Sequence, residues 1–105
     1  MSPASPAAQT LLSKPMDKAE IKQVLQIPDE AFVNWALDQA RLYPNERRAI
    51  ELRAFDGMTI FEAADKMHIG ETTFKDYQRQ GMDKLNRAWT GRRAIEAARR
   101  EYFPQ

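Results

Sequence analysis

From Asp17 onward the apolar residues recur at intervals of three and four, the spacing at which an α-helix gathers side chains on one face. The Asp17-Lys18-Ala19-Glu20 order fits a capping box, so a first helix is expected to begin at Asp17 and to turn Ile21, Val24 and Leu25 inward. Pro28 is placed in the first turn of a second helix, where its missing N–H has no intrahelical role, with Asp29 and Glu30 facing the positive end of the helix dipole. Phe32, Trp35, Ala36, Gln39, Ala40 and Tyr43 then mark a buried stripe that Val33 and Leu37 widen. On this pattern Trp35 is read as core filling rather than as a stacking platform for a base, because its neighbours at helical spacing are apolar and no basic residues alternate with it.

Pro44 interrupts the pattern. A third helix is predicted from Glu46 to Phe55, with Ile50 and Ala54, and Leu52 and Phe55, on its inner side, ending at Asp56-Gly57. Thr59 and Glu62 form a second capping box, and Ile60, Ala63, Ala64 and Met67 give a short fourth helix one apolar face. His68-Ile69-Gly70 reads as a tight turn in which Gly70 swings the backbone and Ile69 plugs the corner, while His68 is read as solvated. A fifth helix starts near Glu71 and continues through Trp89, with Phe74, Gln78, Gly81 and Leu85 inward and Thr72, Lys75, Asp76 and Arg79 outward. The fold class expected is all-α: five to six short helices in a single domain with a helix-turn-helix and no winged element.

Organisation along the chain follows. Residues 1–15 hold three prolines and read as a flexible tail, Leu11 and Leu12 being its one candidate docking element. Residues 16–43 read as a helical packing or partner-binding module, 44–89 as the helix-turn-helix, and 90–105 as a basic C-terminal helix or arm. In that last segment Ile95, Ala98, Tyr102 and Phe103 line up beside four arginines. A solvated terminal helix, a phosphate-contacting arm and a dimerisation helix are all compatible with it.

Composition narrows the chemistry. With 105 residues and 43% hydrophobic content there is enough chain for one core. The absence of cysteine and the single histidine leave no disulfide framework and no cysteine/histidine zinc site. No apolar run reaches the roughly 20 residues that span a bilayer, and the N-terminus lacks the features of a secretory signal, so no membrane partner and a cytoplasmic location are expected. The net charge is only +1, but between Arg79 and Arg100 seven basic residues stand against two acidic ones, so positive charge gathers towards the C-terminus. No nucleophile with a base, carboxylate pair in an apolar setting or phosphate loop is visible; neither catalysis nor a cofactor is expected.

The outward row of the fifth helix carries the candidate function. A helix fits the major groove, where threonine can contact either base class, lysine or arginine can pair with guanine, and an acidic side chain can accept from cytosine or hold a basic neighbour. Lys75 and Arg79 are the candidates for direct contacts, with Glu71 or Asp76 in the acidic role. Spacing alone fits a merely solvated face equally well.

The order of motifs weighs against that plain reading. LYPNERRAIELRAFDGMTIFEAA, Leu42 to Ala64, resembles region 4 of bacterial sigma factors, with its proline, acidic–basic first turn, L-R-x-F, D/E-G and T-x-x-E elements in sequence. TTFKDYQRQGMDKL, Thr72 to Leu85, is similar to that family's recognition helix without a gap, and the likeness covers about 44 of the 105 residues. It implies a helix-turn-helix that reads double-stranded promoter DNA at the minus-thirty-five element, with RNA polymerase as a second partner through the preceding helices. By position it implies that Glu71, Thr72, Lys75, Asp76 and Arg79 face bases or backbone, and that Thr59 and Arg53 touch phosphate or polymerase.

Three residues depart from the family pattern: Gln78 at a usually apolar position, Gly81 at a usual alanine, and Phe61 at a usually charged one. Glycine inside a helix costs about 1 kcal/mol relative to alanine, so Gly81 points to close packing or a bend. Nothing resembles region 2, which binds the minus-ten element, and a complete sigma factor is therefore not expected. The function expected is a sequence-specific DNA-binding transcriptional regulator of the kind phages and mobile elements encode. Two other roles fit a helix-turn-helix as well: a DNA-packaging accessory resembling a small terminase subunit, and a region 4 mimic that occupies RNA polymerase without touching DNA. A homodimer through the C-terminal helix is the remaining partner expectation.

Overall fold

The computed structural model describes residues 16–102; the proline-rich leader with Leu11 and Leu12, the side chain of Tyr102, and Phe103 lie outside the described residues. Six helices and no strand are present among them: α1 (Lys18–Leu25), α2 (Glu30–Ala40), α3 (Pro44–Ala54), α4 (Ile60–Lys66), α5 (Glu71–Trp89) and α6 (Arg93–Tyr102). The all-α expectation holds. At 19 residues α5 is the longest, about 28 Å at 1.5 Å per residue; α1 to α4 pack along it, and α6 packs against α1.

Local signals set the helix starts. Asp17 accepts the N–H of Glu20 at 2.8 Å while the Glu20 carboxylate accepts the N–H of Asp17 at 3.2 Å, closing the first capping box. Thr59 and Glu62 close the second in the same way, at 3.1 and 2.9 Å. Two starts differ from the sequence reading. Asp29, accepting from the Phe32 N–H at 3.1 Å, is the cap of α2, so Pro28 lies before the helix and not in its first turn. Pro44 is the first residue of α3, opening that helix where it had been expected to interrupt the pattern.

Two apolar clusters share α5. The larger joins Ile21, Val24 and Leu25 of α1, Val33, Ala36, Leu37 and Ala40 of α2, Ile50 of α3, Leu85 and Trp89 of α5, and Ile95 and Ala98 of α6. The smaller consists of Ala49, Leu52, Ala63, Ala64 and Phe74, and it lies under the helix-turn-helix. Of the stripe expected in α6, Ile95 and Ala98 are thus spent inside this chain. Met16 anchors α1 against α5: its N–H donates to Asn86 Oδ1 at 3.2 Å and its carbonyl accepts from Asn86 Nδ2 at 2.7 Å.

In α2 the buried line runs through Val33, Ala36, Leu37 and Ala40, one position round from the expected stripe. Trp35 is 37% exposed and leans on Phe32 with ring centroids 5.8 Å apart, and Tyr43 is 68% exposed. Trp89 of α5 takes the place foreseen for Trp35. Its fully buried indole donates Nε1–H to the Ala36 carbonyl at 2.8 Å, a contact that the small side chains of Ala36 and Ala40 leave room for. Phe55 also departs from expectation, because α3 ends at Ala54 and leaves the ring at the C-cap, exposed.

The crossing of α3 and α5 is close. A Cβ built on Gly81 would stand 2.7 Å from Ile50 Cδ1 and 3.5 Å from Glu46 Cβ, which accounts for a glycine in a helix interior. Beside it Glu46, 2% exposed, accepts from both the Tyr43 N–H at 2.9 Å and Lys84 Nζ at 2.7 Å, while the ammonium sits 3.6 Å above the centre of the Tyr43 ring. On the other flank of α3, Arg47 donates to Asp38 at 2.7 Å and to Glu51 at 3.2 Å; the hydrogen bond it gives to the Asp38 carboxylate is the chief cause raising its already high pKa. Gly81→Val is expected to lower stability by about 1–3 kcal/mol through overpacking against Ile50 and Glu46. Gly81→Ala should cost less, because its gain in helix propensity of about 1 kcal/mol offsets a small shift of the Ile50 methyl. Urea unfolding of the two variants beside the parent checks the order.

Candidate nucleic-acid interface

The short helix α4, the turn 67–70 and the start of α5 form a rigid corner over the smaller cluster. Ala63 and Ala64 bring the α4 backbone close to α5, and Phe74 fills the angle between them without exposure. The turn is closed by two hydrogen bonds from beyond the helix end, His68 N–H to the Asp65 carbonyl and Ile69 N–H to the Ala64 carbonyl, each 3.0 Å. This is the Schellman arrangement, and it needs a left-handed residue at His68, whose φ is +59°. Gly70, expected to supply the swing, has an ordinary φ of −74° and caps α5. His68 occupies the position where glycine is usual, and its exposed side chain bears the backbone cost.

That corner fixes which face of α5 is outward. Glu71, Thr72, Lys75, Asp76 and Arg79 are all exposed and share the N-terminal half of the helix, opposite Phe74 and Gly81. Gln78, expected inward, is half-buried. Arg79 Nη2 bonds to Asp76 Oδ1 at 3.0 Å, with side chains 64% and 53% exposed. At that exposure the pair contributes little stability and can open to a stronger acceptor. Lys75 makes no ion pair among the described residues.

The two remaining candidates lie elsewhere. Thr59 is exposed at the start of α4, its oxygen accepting the Glu62 N–H, which leaves the hydroxyl hydrogen free to donate. Arg53 turns inward: Nη1 donates to the Met58 carbonyl at 2.6 Å, tying the end of α3 to the loop before α4, and its buried Nε has no hydrogen-bond partner among the described residues. Arg53 borders a cavity of about 200 Å³ that Lys22, Gln26, Ile50 and Gln78 also line. The structure therefore unites the five residues of α5, sets Thr59 apart on α4, and buries much of Arg53.

One neighbourhood was not visible from spacing along any single helix. Lys18 and Lys22 of α1 border the same open groove as Lys75, Asp76 and Arg79 of α5. Their i, i+4 placement on an exposed face was the available signal, but sequence separation hides which helix they lie beside. Phe61 is 68% exposed on α4, an apolar residue on the outer side of the corner.

Two helices set at a tight left-handed turn, the second presenting a polar and basic N-terminal half, define the class of helix-turn-helix proteins. The sequence matches the ECF sigma factor family over residues 13–100, and the chain belongs to that family. Searches of curated proteins and of solved structures gave no match. Among the described residues no helix is long and apolar enough to cross a membrane.

Replacing His68 by valine is expected to lower stability by about 1 kcal/mol, since a β-branched side chain tolerates the left-handed region least and His68 contributes no buried packing. Thermal unfolding followed by circular dichroism gives the number, and an unchanged midpoint would show that the turn relaxes to another conformation.

Proposed function

We propose that this protein is a sequence-specific DNA-binding transcriptional regulator, a binding protein and not an enzyme, that inserts the N-terminal half of α5 into the major groove. The observation that carries the reading is the exposed row Thr72, Lys75, Asp76 and Arg79, held by Phe74 and the 67–70 turn on a helix whose other face is buried. Rigid placement matters because base edges are told apart by side-chain donors and acceptors fixed to within a fraction of an ångström. Arg79 can present its planar fork to guanine, its exposed pair with Asp76 opening when a base offers a stronger acceptor. Lys75 supplies a second cation one turn earlier. Thr59, at the start of α4, is positioned to donate its hydroxyl to a backbone phosphate.

RNA polymerase is the protein partner that membership in a sigma factor family supports. Phe61, 68% exposed, and the half-exposed ring of Phe55 favour a protein contact in addition to DNA.

Selection of bound duplexes from a random pool is expected to enrich one motif; no enrichment would overturn sequence-specific reading. On the enriched duplex Arg79→Ala should weaken binding by about 1–3 kcal/mol and relax specificity at one position. Equal loss on random DNA would assign Arg79 to phosphate instead. A Lys75→Ala/Arg79→Ala double variant that keeps full activity in cells would favour action through polymerase without DNA contact, and a ring of many copies in solution would favour a packaging role.

A further inference from the structure

We propose that α1 is a second DNA-contacting element, with Lys18 and Lys22 gripping the sugar-phosphate backbone beside the groove that α5 reads. The proposal rests on the DNA-binding reading above and extends its surface beyond the helix-turn-helix. α1 is held along α5 by the paired hydrogen bonds between Met16 and Asn86 and by burial of Ile21, Val24 and Leu25, so its polar face is fixed relative to the recognition helix. Between the two helices runs an open groove of about 340 Å³ bordered by Lys18, Lys22, Lys75, Asp76, Arg79 and Asp83. Four cations face two carboxylates there, and Arg79 already engages one of the carboxylates. The side chains of Lys18 and Lys22 are exposed and make no ion pair among the described residues.

An element flanking a helix seated in the major groove meets phosphates, not base edges. Two lysines one turn apart are about 6 Å apart along the helix axis, against an axial phosphate spacing of about 3.4 Å per strand, so they can serve two phosphates. Lysine suits this task as a compact charge on a flexible stem that needs no fixed geometry. The expected contribution is affinity and salt dependence without sequence preference.

The test compares the full chain with its Lys18→Gln/Lys22→Gln variant on the selected duplex and on a random duplex, by fluorescence anisotropy over a range of salt. Both side chains are exposed, and circular dichroism of the variant beside the parent checks that the fold is kept. The variant should lose affinity for both duplexes by the same factor, and the slope of log K against log salt should become shallower by about 1 to 2. Between about 50 and 200 mM salt the parent would then lose several-fold to about tenfold more affinity than the variant. Lys18→Arg/Lys22→Arg should keep the parent slope. Parallel lines for parent and glutamine variant would overturn the role of α1 while leaving DNA binding intact, as would a loss confined to the selected duplex. Failure of the parent to bind any duplex would overturn the DNA-binding reading itself.

Discussion

The close crossing of α3 and α5 is the constraint on which the rest of the structure depends. Gly81 lets the two backbones approach until Ile50 fills the place a side chain would take. That approach puts Lys84 within 2.7 Å of Glu46, a carboxylate that the crossing itself removes from water. A buried charge that loses its partner costs several kcal/mol, so a register of α5 against α3 that parted Lys84 from Glu46 is disfavoured. Register then propagates. Lys84 in position leaves Leu85 and Trp89 in the larger cluster and Phe74 in the smaller one, because all four sit on a single rigid helix.

Function inherits that rigidity. The outward row of α5 is the complement of its buried row, and a shift of one residue would rotate Lys75 and Arg79 by about 100°. The smaller cluster has few residues and three of its five are alanines, so its strength lies in close helix approach and the fully buried Phe74 more than in apolar volume. Trp89 performs the matching task at the far end, where its hydrogen bond to the Ala36 carbonyl ties α5 to α2 across 53 residues of sequence. With both ends of α5 held, the polar face is presented as a fixed surface. The groove beside α1 has the same origin, since Asn86 clamps Met16 only when α5 is in register.

Several features were legible in the sequence because their causes are local. The capping boxes at Asp17 and Thr59 depend on residues three apart, and the polar row from Thr72 to Arg79 depends on one helical period. The all-α fold and the ordered corner between α4 and α5 follow from such signals. Motif order in the stretch Leu42 to Leu85 added what periodicity could not, namely a likeness to the sigma factor family to which the chain belongs.

What periodicity left undecided is the angle at which each helix meets its neighbours. Trp35 and Ala36 are adjacent and 100° apart on α2, and both fit an apolar stripe; the arrival of Trp89 from α5 selects Ala36. Arg53 was expected at the surface, yet the loop at Met58 offers it a carbonyl and draws it inward. His68 adopts the left-handed conformation that Gly70 was expected to take, because the last turn of α4 needs its carbonyls bonded one residue beyond Met67. By itself, then, the sequence determined the helices, their caps and the composition of the exposed polar face of α5, all from interactions within about four residues. Only the tertiary structure decided which apolar neighbours are buried, what neutralises Glu46 and which lysines flank α5, because partners up to 70 residues apart leave no period in the chain.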